Sequence, residues 1–190
     1  MFNANVNAVM DTVDALRGKV DDAWQIPRPE AQLLAQLVRL GQCRSICEIG
    51  VSYGFSTLHL AAAVNENDGH LHGFDAAEKK VTAATKHLAE AGLGRCATLH
   101  LGDARETVPR VTPDRPYDFV FIDAVKTQSR DYLDAVWPKL ADRAVLVTDN
   151  TSTHPEELGD FVAHLRSLPN ATSCGVDVGN GFELTILRRG

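Results

Sequence analysis

Cysteine is scarce in this chain of 190 residues, and its four copies form no paired motif. They are Cys43, Cys47, Cys96 and Cys174. None of the spacings is C-x-x-C, and Cys47 and Cys96 lie in apolar, strand-like runs, where a free thiol behaves as a small hydrophobic group. This scarcity argues against both a disulfide framework and a zinc site.

An excess of basic residues and a long apolar run are also missing. The 19 Lys and Arg residues are outnumbered by 25 Asp and Glu, so the formal net charge is -6 and no basic stripe is available to neutralise nucleic-acid phosphates. No apolar run approaches the length of a membrane span, and the amphipathic, acidic segment 1–16 is unlike a signal peptide. We therefore expect a cytoplasmic protein that binds a small molecule and neither nucleic acid nor a membrane.

The chain does contain enough apolar residues for one substantial core. Hydrophobic residues make up 44% of the sequence and charged residues 23%, proportions typical of a folded domain rather than a disordered chain. No repeat or low-complexity linker divides it. We predict a single domain over residues 1–190, in which residues 1–42 form a helical cover and residues 43–190 form an α/β core.

Segments with strand and helix patterns alternate along this core. Strands are predicted at Ser45–Gly50, His70–Asp75, Cys96–Leu101, Phe119–Asp123 and Ala144–Asp149. Two helices precede them, with apolar residues at helical spacing in segments 6–16 and 33–38. Strands that alternate with helices are typical of a doubly wound parallel sheet.

The end of the chain predicts an antiparallel hairpin. Two β-rich runs, Thr172–Val178 and Phe182–Leu187, flank Gly179-Asn180-Gly181, which contains an Asn-Gly pair. Asn-Gly between two such runs is a strong hairpin signal. We therefore expect a mostly parallel sheet that ends in an antiparallel hairpin.

A glycine turn follows the first predicted strand and opens a helix. Backbone N–H groups at a helix N-terminus attract negative charge, and Gly50 and Gly54 lack the Cβ atoms that would keep a ligand off the backbone. A dinucleotide fingerprint needs further glycines, but Ser52 and Phe55 stand at those positions. The turn therefore predicts a nucleotide-type ligand and argues against NAD.

Acidic residues stand at the ends of four of the five predicted parallel strands, the edge where open α/β sheets bind ligands. Asp75 can accept hydrogen bonds from both hydroxyls of a ribose, and Asp103 follows the third strand. Asp123 and Asp149 end adjacent strands, and with Asn150 they offer three oxygen donors that suit Mg²⁺ or Ca²⁺. Any one of these acids alone would more often be a turn or cap residue, so the prediction depends on their combination.

The motifs resemble those of the class I S-adenosylmethionine (SAM)-dependent methyltransferases. The run Glu48-Ile-Gly50-Val-Ser-Tyr-Gly54 is similar to their first motif. FIDAVK followed by VTDN is similar to the D-A-x-K and D-N pattern of the metal-dependent family that contains catechol and caffeoyl-CoA O-methyltransferases. The resemblance implies a Rossmann-like sheet of seven strands in the order 3-2-1-4-5-7-6.

The resemblance also implies a set of functional residues. SAM contacts are implied for Glu48, Gly50, Val51, Ser56, Asp75, Asp103, Ala104 and Asp123. A divalent cation, Mg²⁺ with Ca²⁺ or Mn²⁺ as alternatives, is implied on Asp123, Asp149 and Asn150. Lys126 is implied as the catalytic base. Members of the family are often homodimers, and the N-terminal amphipathic helix is a candidate for such an interface.

Methyl transfer to a hydroxyl agrees with these residue types. A neutral hydroxyl is a poor nucleophile, so a cation that stabilises the oxyanion and a lysine that takes the proton would both assist. Lys126 lies three residues beyond Asp123, where a turn could bring it to the same oxygen. Chelation of two neighbouring hydroxyls would orient the nucleophile, which favours a catechol-like acceptor. Two alternatives stay open: a metal-independent small-molecule methyltransferase, and a SAM-binding protein without catalytic activity.

The chain departs from the family pattern after the lysine and after the D-N pair. Ser129 stands where plant members have an aromatic residue, and segment 151–157 replaces their Trp-containing segment, so contacts specific for acyl-CoA are not carried over. Thr153 and Glu156 have the spacing of a capping box, which favours a helix-start role for His154 over that of a second base. The other six histidines form no ligand-spaced cluster and are interpreted as structural.

Overall fold

A computed structural model describes residues 2–188, whose seven strands form one sheet. The strands are β1 (Ser45–Ile49), β2 (His70–Asp75), β3 (Ala97–Leu101), β4 (Tyr117–Ile122), β5 (Leu140–Asp149), β6 (Ala171–Val176) and β7 (Phe182–Arg188). Their order across the sheet is β3-β2-β1-β4-β5-β7-β6. Strands β1 to β5 pair in parallel, and β7 pairs antiparallel with both β5 and β6. The predicted fold class and strand order are confirmed.

Seven α-helices accompany the sheet in this part of the chain. They are α1 (Ala4–Asp14), α2 (Arg28–Leu40), α3 (Phe55–Glu66), α4 (Glu78–Glu90), α5 (Ala104–Arg110), α6 (Ser129–Val136) and α7 (Pro155–Ser167). Short 3-10 helices at Lys126–Gln128 and Trp137–Lys139 flank α6. No helix within residues 2–188 is long and apolar enough to cross a membrane.

Two apolar cores form on opposite faces of the sheet. Phe119 and Phe121 of β4 belong to the core that includes side chains of α1, α2, α3 and α4. Val120 and Ile122 of the same strand belong to the core that includes side chains of α5, α6 and α7. This alternation follows from the two-residue period of a strand, and it explains why β4 is apolar at nearly every position.

The N-terminal helices are part of the core. Helix α3 is buried continuously from Phe55 to Val64, because it contacts α1 and α2 as well as β1 and β2. Val6, Met10 and Val13 of α1 are buried at helical spacing, as the sequence predicted. Helices α1 and α2 therefore pack on the helix that the glycine turn opens.

Two local predictions are wrong in detail. Helix α7 begins at Pro155 with His154 at its N-cap and no side-chain cap, so Thr153 does not form the predicted capping box. The Thr153 hydroxyl instead accepts a hydrogen bond of 3.0 Å from the Asn150 side chain. The terminal hairpin is confirmed, but β6 runs from Ala171 to Val176 rather than from Thr172 to Val178, and the five-residue loop 177–181 connects it to β7.

Candidate active site

The glycine turn after β1 is shaped by close approaches within the protein. Gly50 has a φ of 97°, and a Cβ added there would overlap the backbone carbonyl of Asp123. Gly54, with a φ of 91°, is the N-cap of α3, and a Cβ there would lie 3.0 Å from the Cβ of Ala84. The sequence analysis assigned both glycines to ligand access. The structure shows that they are also needed to bring β4 and α4 against the turn.

Asp75, at the end of β2, fixes the conformation of this turn. Its Oδ2 accepts hydrogen bonds from the backbone N–H groups of Val51 at 3.1 Å and Ser52 at 2.8 Å, and its Oδ1 accepts one from Ala77 at 2.9 Å. Ser52 itself adopts a φ of 49°. A carboxylate offers roughly four acceptor positions, so a ribose bound here would share Asp75 with the turn.

Glu48 lies buried beneath the first turn of α3. Its Oε1 accepts a hydrogen bond of 2.5 Å from the Ser56 hydroxyl, while its Oε2 has no hydrogen-bond partner among the described residues. Burial raises the pKa of Glu48 to about 8, the hydroxyls of Ser56 and Thr57 oppose that rise, and the charges of Asp123 and Asp75 add to it. The structure therefore brings the predicted residues Glu48 and Ser56 together and leaves one carboxylate oxygen for a cationic group of a ligand.

Asp103 is the N-cap of α5. It accepts hydrogen bonds from the backbone N–H of Arg105 at 2.9 Å and from the guanidinium of the same residue at 2.5 Å. These contacts, the guanidinium bond first, hold the pKa of Asp103 below its usual range. Ala104 is buried beside it in the second core. Asp103 thus has the cap role that is common for such acids, and its predicted contact near the adenine stays a prediction.

Asp123 directly follows β4 and Asp149 ends β5, so the two acids lie at the same edge of the sheet on neighbouring elements. Lys126 Nζ lies 2.7 Å from Asp123 Oδ1, and both side chains are largely buried. Asp149 is 1% exposed, and neither of its carboxylate oxygens has a hydrogen-bond partner in residues 2–188. Burial raises the pKa of Asp149, the charges of Asp123 and Glu30 raise it further, and Lys126 opposes them. Three acids and one lysine therefore share this part of the site.

Asn150 follows β5 with a φ of 69°, a conformation that Asn tolerates better than most residues. Its side-chain nitrogen donates to Thr153, so the amide oxygen is the atom that could bind a cation. Across the part of the chain that the structure describes, no group of three or more His, Cys, Asp or Glu side chains is arranged to hold a metal ion. The predicted set has two carboxylates and one amide, and the cation is not confirmed. The unpartnered carboxylate of Asp149 nevertheless fits one.

Glu30 is a residue of this site that the sequence analysis missed. It lies in the first turn of α2, fully buried, and accepts a hydrogen bond from the backbone N–H of Asn180 in the β6–β7 loop. Burial raises the pKa of Glu30 to about 7, the N–H of Asn180 opposes the rise, and the charge of Asp123 adds to it. The sequence does contain a signal for Glu30, because an acid four residues before Leu34 lies on the apolar face of an amphipathic helix.

The histidines lie apart from this cluster or at its margin. His72 Nδ1 lies 3.0 Å from His100 Nε2 on the neighbouring strands β2 and β3, a pair that the sequence spacing did not suggest. His154 occupies the N-cap of α7, with Nδ1 3.0 Å from the Thr153 hydroxyl. The helix-start interpretation of His154 is confirmed.

Comparisons with known proteins agree with this geometry. The family model described as a methyltransferase domain matches residues 47–151, which is more than half of the chain. A catechol O-methyltransferase of Mycobacterium tuberculosis is 33% identical over 68% of this chain and 60% of its own length. A catechol O-methyltransferase of Niastella koreensis is 31% identical over 63% of this chain and 53% of its own length. The chain thus spans between half and two thirds of the length of these relatives.

Solved structures match nearly the whole chain. The O-methyltransferase TomG from Streptomyces achromogenes, in complex with SAM, has a TM-score of 0.84 and 26% identity, and the match covers 100% of this chain and 92% of that one. An O-methyltransferase from Bacillus cereus, in complex with SAH, has a TM-score of 0.82 and 22% identity over 98% of this chain and 91% of that one. The resemblance drawn from the motifs is confirmed. The chain belongs to the methyltransferase domain family and has the fold of the class I SAM-dependent methyltransferases.

Proposed function

We propose that this protein transfers the methyl group of SAM to a hydroxyl of a small, catechol-like acceptor, with a divalent cation and with Lys126 as the base. One observation carries the proposal. The buried, unpartnered carboxylate of Asp149 lies beside the Asp123–Lys126 ion pair, at the sheet edge where the glycine turn opens α3. A cation-binding group and a proton acceptor therefore adjoin a nucleotide-type pocket.

The support for SAM comes from the turn and from the relatives. Glu48 keeps one unpartnered oxygen for a ligand's cationic group, and Asp75 holds the turn that a ribose would contact. Two relatives are named catechol O-methyltransferase, and two structural neighbours are in complex with SAM or SAH. We propose the same acceptor class and the same cofactor for this chain, which spans 53% and 60% of the length of the two relatives.

The support for a divalent cation comes from the charge of the cluster. Three carboxylates, of Glu30, Asp123 and Asp149, interact with one another; the ammonium of Lys126 opposes them, as does Arg17, which is itself paired with Asp14. Fully ionised, they leave two negative charges in a buried setting, and buried charges are normally paired or bound to metals. Asp123, Asp149 and Asn150 would hold Mg²⁺, which prefers oxygen ligands. When bound, such a cation supplies positive charge that stabilises an oxyanion.

The protein's own groups account for the rest of the reaction. The acceptor oxygen attacks the methyl carbon of SAM, a C–O bond forms as the C–S bond breaks, and the sulfur leaves as a neutral thioether. The hydroxyl proton passes to the amine of Lys126. In the structure the Lys126 ammonium donates to Asp123, so it must give up a proton and that contact before it can act as a base.

One observation favours a second candidate, a methyltransferase that needs no metal. Lys126 already neutralises Asp123 at 2.7 Å, and residues 2–188 contain no cluster of three metal-ligating side chains of the His, Cys, Asp or Glu type. In that case the lysine alone would stabilise the oxyanion. Chelation separates the two candidates.

The test is methyl transfer from labelled SAM to catechol with Mg²⁺, with EDTA, and with EDTA followed by excess Mg²⁺. We expect EDTA to abolish turnover and Mg²⁺ to restore it, while a mono-hydroxyl analogue reacts far more slowly. Full turnover in EDTA would favour the metal-independent candidate, and no turnover with any hydroxyl acceptor would overturn the proposal.

A homodimer is also proposed, which sedimentation equilibrium tests directly.

A further inference from the structure

We propose that Glu30 is a positioning residue, which holds the β6–β7 loop 177–181 against the residues that follow the D-N pair. This inference depends on the proposed function in one respect only, namely that the proposed function identifies this part of the site as the part that binds the acceptor and the cation. The contacts themselves connect three elements that are distant in sequence: the start of α2, the β6–β7 loop and the segment after β5.

The first step is the contact between Glu30 and the loop. The backbone N–H of Asn180 donates to Oε1 of Glu30, and the Asn180 side-chain nitrogen lies 3.5 Å from Oε2. Gly179 has a φ of 58°, and a Cβ added there would collide with the Glu30 carboxylate. The loop therefore closes around this carboxylate, and the position next to it requires glycine.

The second step links the loop to the candidate cation site. Thr151 donates its N–H to the carbonyl of Gly181 at 3.1 Å, and Ser152 donates to the carbonyl of Asn180 at 3.0 Å. These two residues directly follow the D-N pair. Position 181 also requires glycine, since an added Cβ would collide with Ser152. A displacement of the loop would therefore be passed to Asn150 through its next two neighbours.

The third step is that α2 does not need a carboxylate at this position for its own packing. Its buried apolar residues are Ala31, Leu34, Ala35 and Val38, and the helix contacts α3. An ionised Glu in such a face is costly unless its oxygens are satisfied. The loop N–H offsets part of that cost, and the first turn of a helix favours a negative charge. Glu30 thus connects α2 to the loop.

The test measures backbone hydrogen exchange in the protein without SAM, acceptor or cation, comparing Glu30→Gln with wild type. We expect exchange to be faster by about tenfold or more at Asn180, the loss expected for a hydrogen bond to a charged acceptor. Exchange in segment 151–152 should also become faster, and exchange in the glycine turn 50–54 should not change. The control Asp118→Asn removes a carboxylate that accepts the N–H groups of Arg44 and Ser45 at the far end of the sheet.

The outcomes distinguish a positioning role from general loosening. The inference is overturned if Asn180 exchanges at the wild-type rate in Glu30→Gln, or if Asp118→Asn accelerates exchange in loop 177–181 equally. Should Glu30→Gln fail to fold, Gly179→Ala replaces it, because its Cβ would push the loop from the same carboxylate, and the same exchange pattern is expected. In turnover, Glu30→Gln should raise the KM for the acceptor several-fold and leave the KM for SAM unchanged. Because the exchange measurement needs no turnover, failure of the proposed function would leave it intact.

Discussion

Replacing Asp149 by asparagine should stabilise the protein when no divalent cation is present. Both carboxylate oxygens of Asp149 are buried and lack hydrogen-bond partners among the described residues, and the charges of Asp123 and Glu30 lie close enough to raise its pKa further. Asparagine has nearly the same shape and no charge. The substitution therefore removes a buried, uncompensated charge without leaving a cavity.

The size of the effect follows from the state of those two oxygens. The asparagine amide would be as unpartnered as the carboxyl group, so the gain comes from removing the charge; we expect about 1 to 3 kcal/mol, since an unsatisfied buried group costs that much when neutral and more when charged. For a protein of this length, a gain of that size raises Tm by about 2 to 12 °C. Because the folded-state pKa of Asp149 lies above its unfolded value, the destabilisation is absent below about pH 4 and grows as the pH rises towards the folded-state pKa. The gain in Asp149→Asn should grow in the same direction.

Thermal unfolding of the EDTA-treated protein, monitored by circular dichroism between pH 5 and 9, measures this effect. Asp118→Asn provides the matched control, because the backbone N–H groups of Arg44 and Ser45, which donate to Asp118 at 2.8 and 2.9 Å, offset part of the cost of its burial, so its Tm should change less than that of Asp149→Asn. Added Mg²⁺ should raise the Tm of the wild type and leave that of Asp149→Asn unchanged. A lower Tm for Asp149→Asn in EDTA would refute the view that this carboxylate is uncompensated.

Three other changes test separate parts of the structure. Lys126→Ala should lower kcat on catechol by ~10²- to 10⁴-fold with unchanged SAM affinity, and Lys126→Arg should not restore it; a near wild-type kcat would show that Lys126 is not the base. Gly50→Ala should abolish SAM binding in calorimetry and destabilise the fold by more than Gly92→Ala, since Gly92 has a positive φ but open space around it. Burial lowers the pKa of His59 to about 4, so the free energy of unfolding should fall as the pH drops from about 6.5 to 4, and His59→Leu should make the slope shallower by up to about 1.4 kcal/mol per pH unit.

The sheet could be predicted from the sequence because its signals are local. The prediction for β2 has the observed bounds, and the prediction for β4 starts two residues late and ends one residue late. The type of turn in the β6–β7 loop could not be predicted in this way. The Asn-Gly signal is local, whereas the backbone N–H of Asn180 donates to Glu30, 150 positions away, a contact that no local pattern contains.

The site could be predicted only in part, for the same reason. Glu48, Asp75, Asp123 and Asp149 stand at strand ends, and the parallel order of the sheet brings those ends to one edge. The sequence did not reveal that Asp75 is engaged by three backbone N–H groups, because that contact depends on the conformation of the turn. Tertiary packing decides which polar atoms of these residues remain available.

Anomalous diffraction from crystals grown with Mn²⁺ and S-adenosylhomocysteine tests the central claim most directly. The account predicts one manganese peak within coordination distance of oxygens from Asp123, Asp149 and Asn150, with the cofactor seated against the glycine turn 50–54. A cofactor bound at that turn without manganese at the three oxygens, or manganese bound at other residues, would contradict the claim that this methyltransferase domain joins a SAM pocket to a cation site.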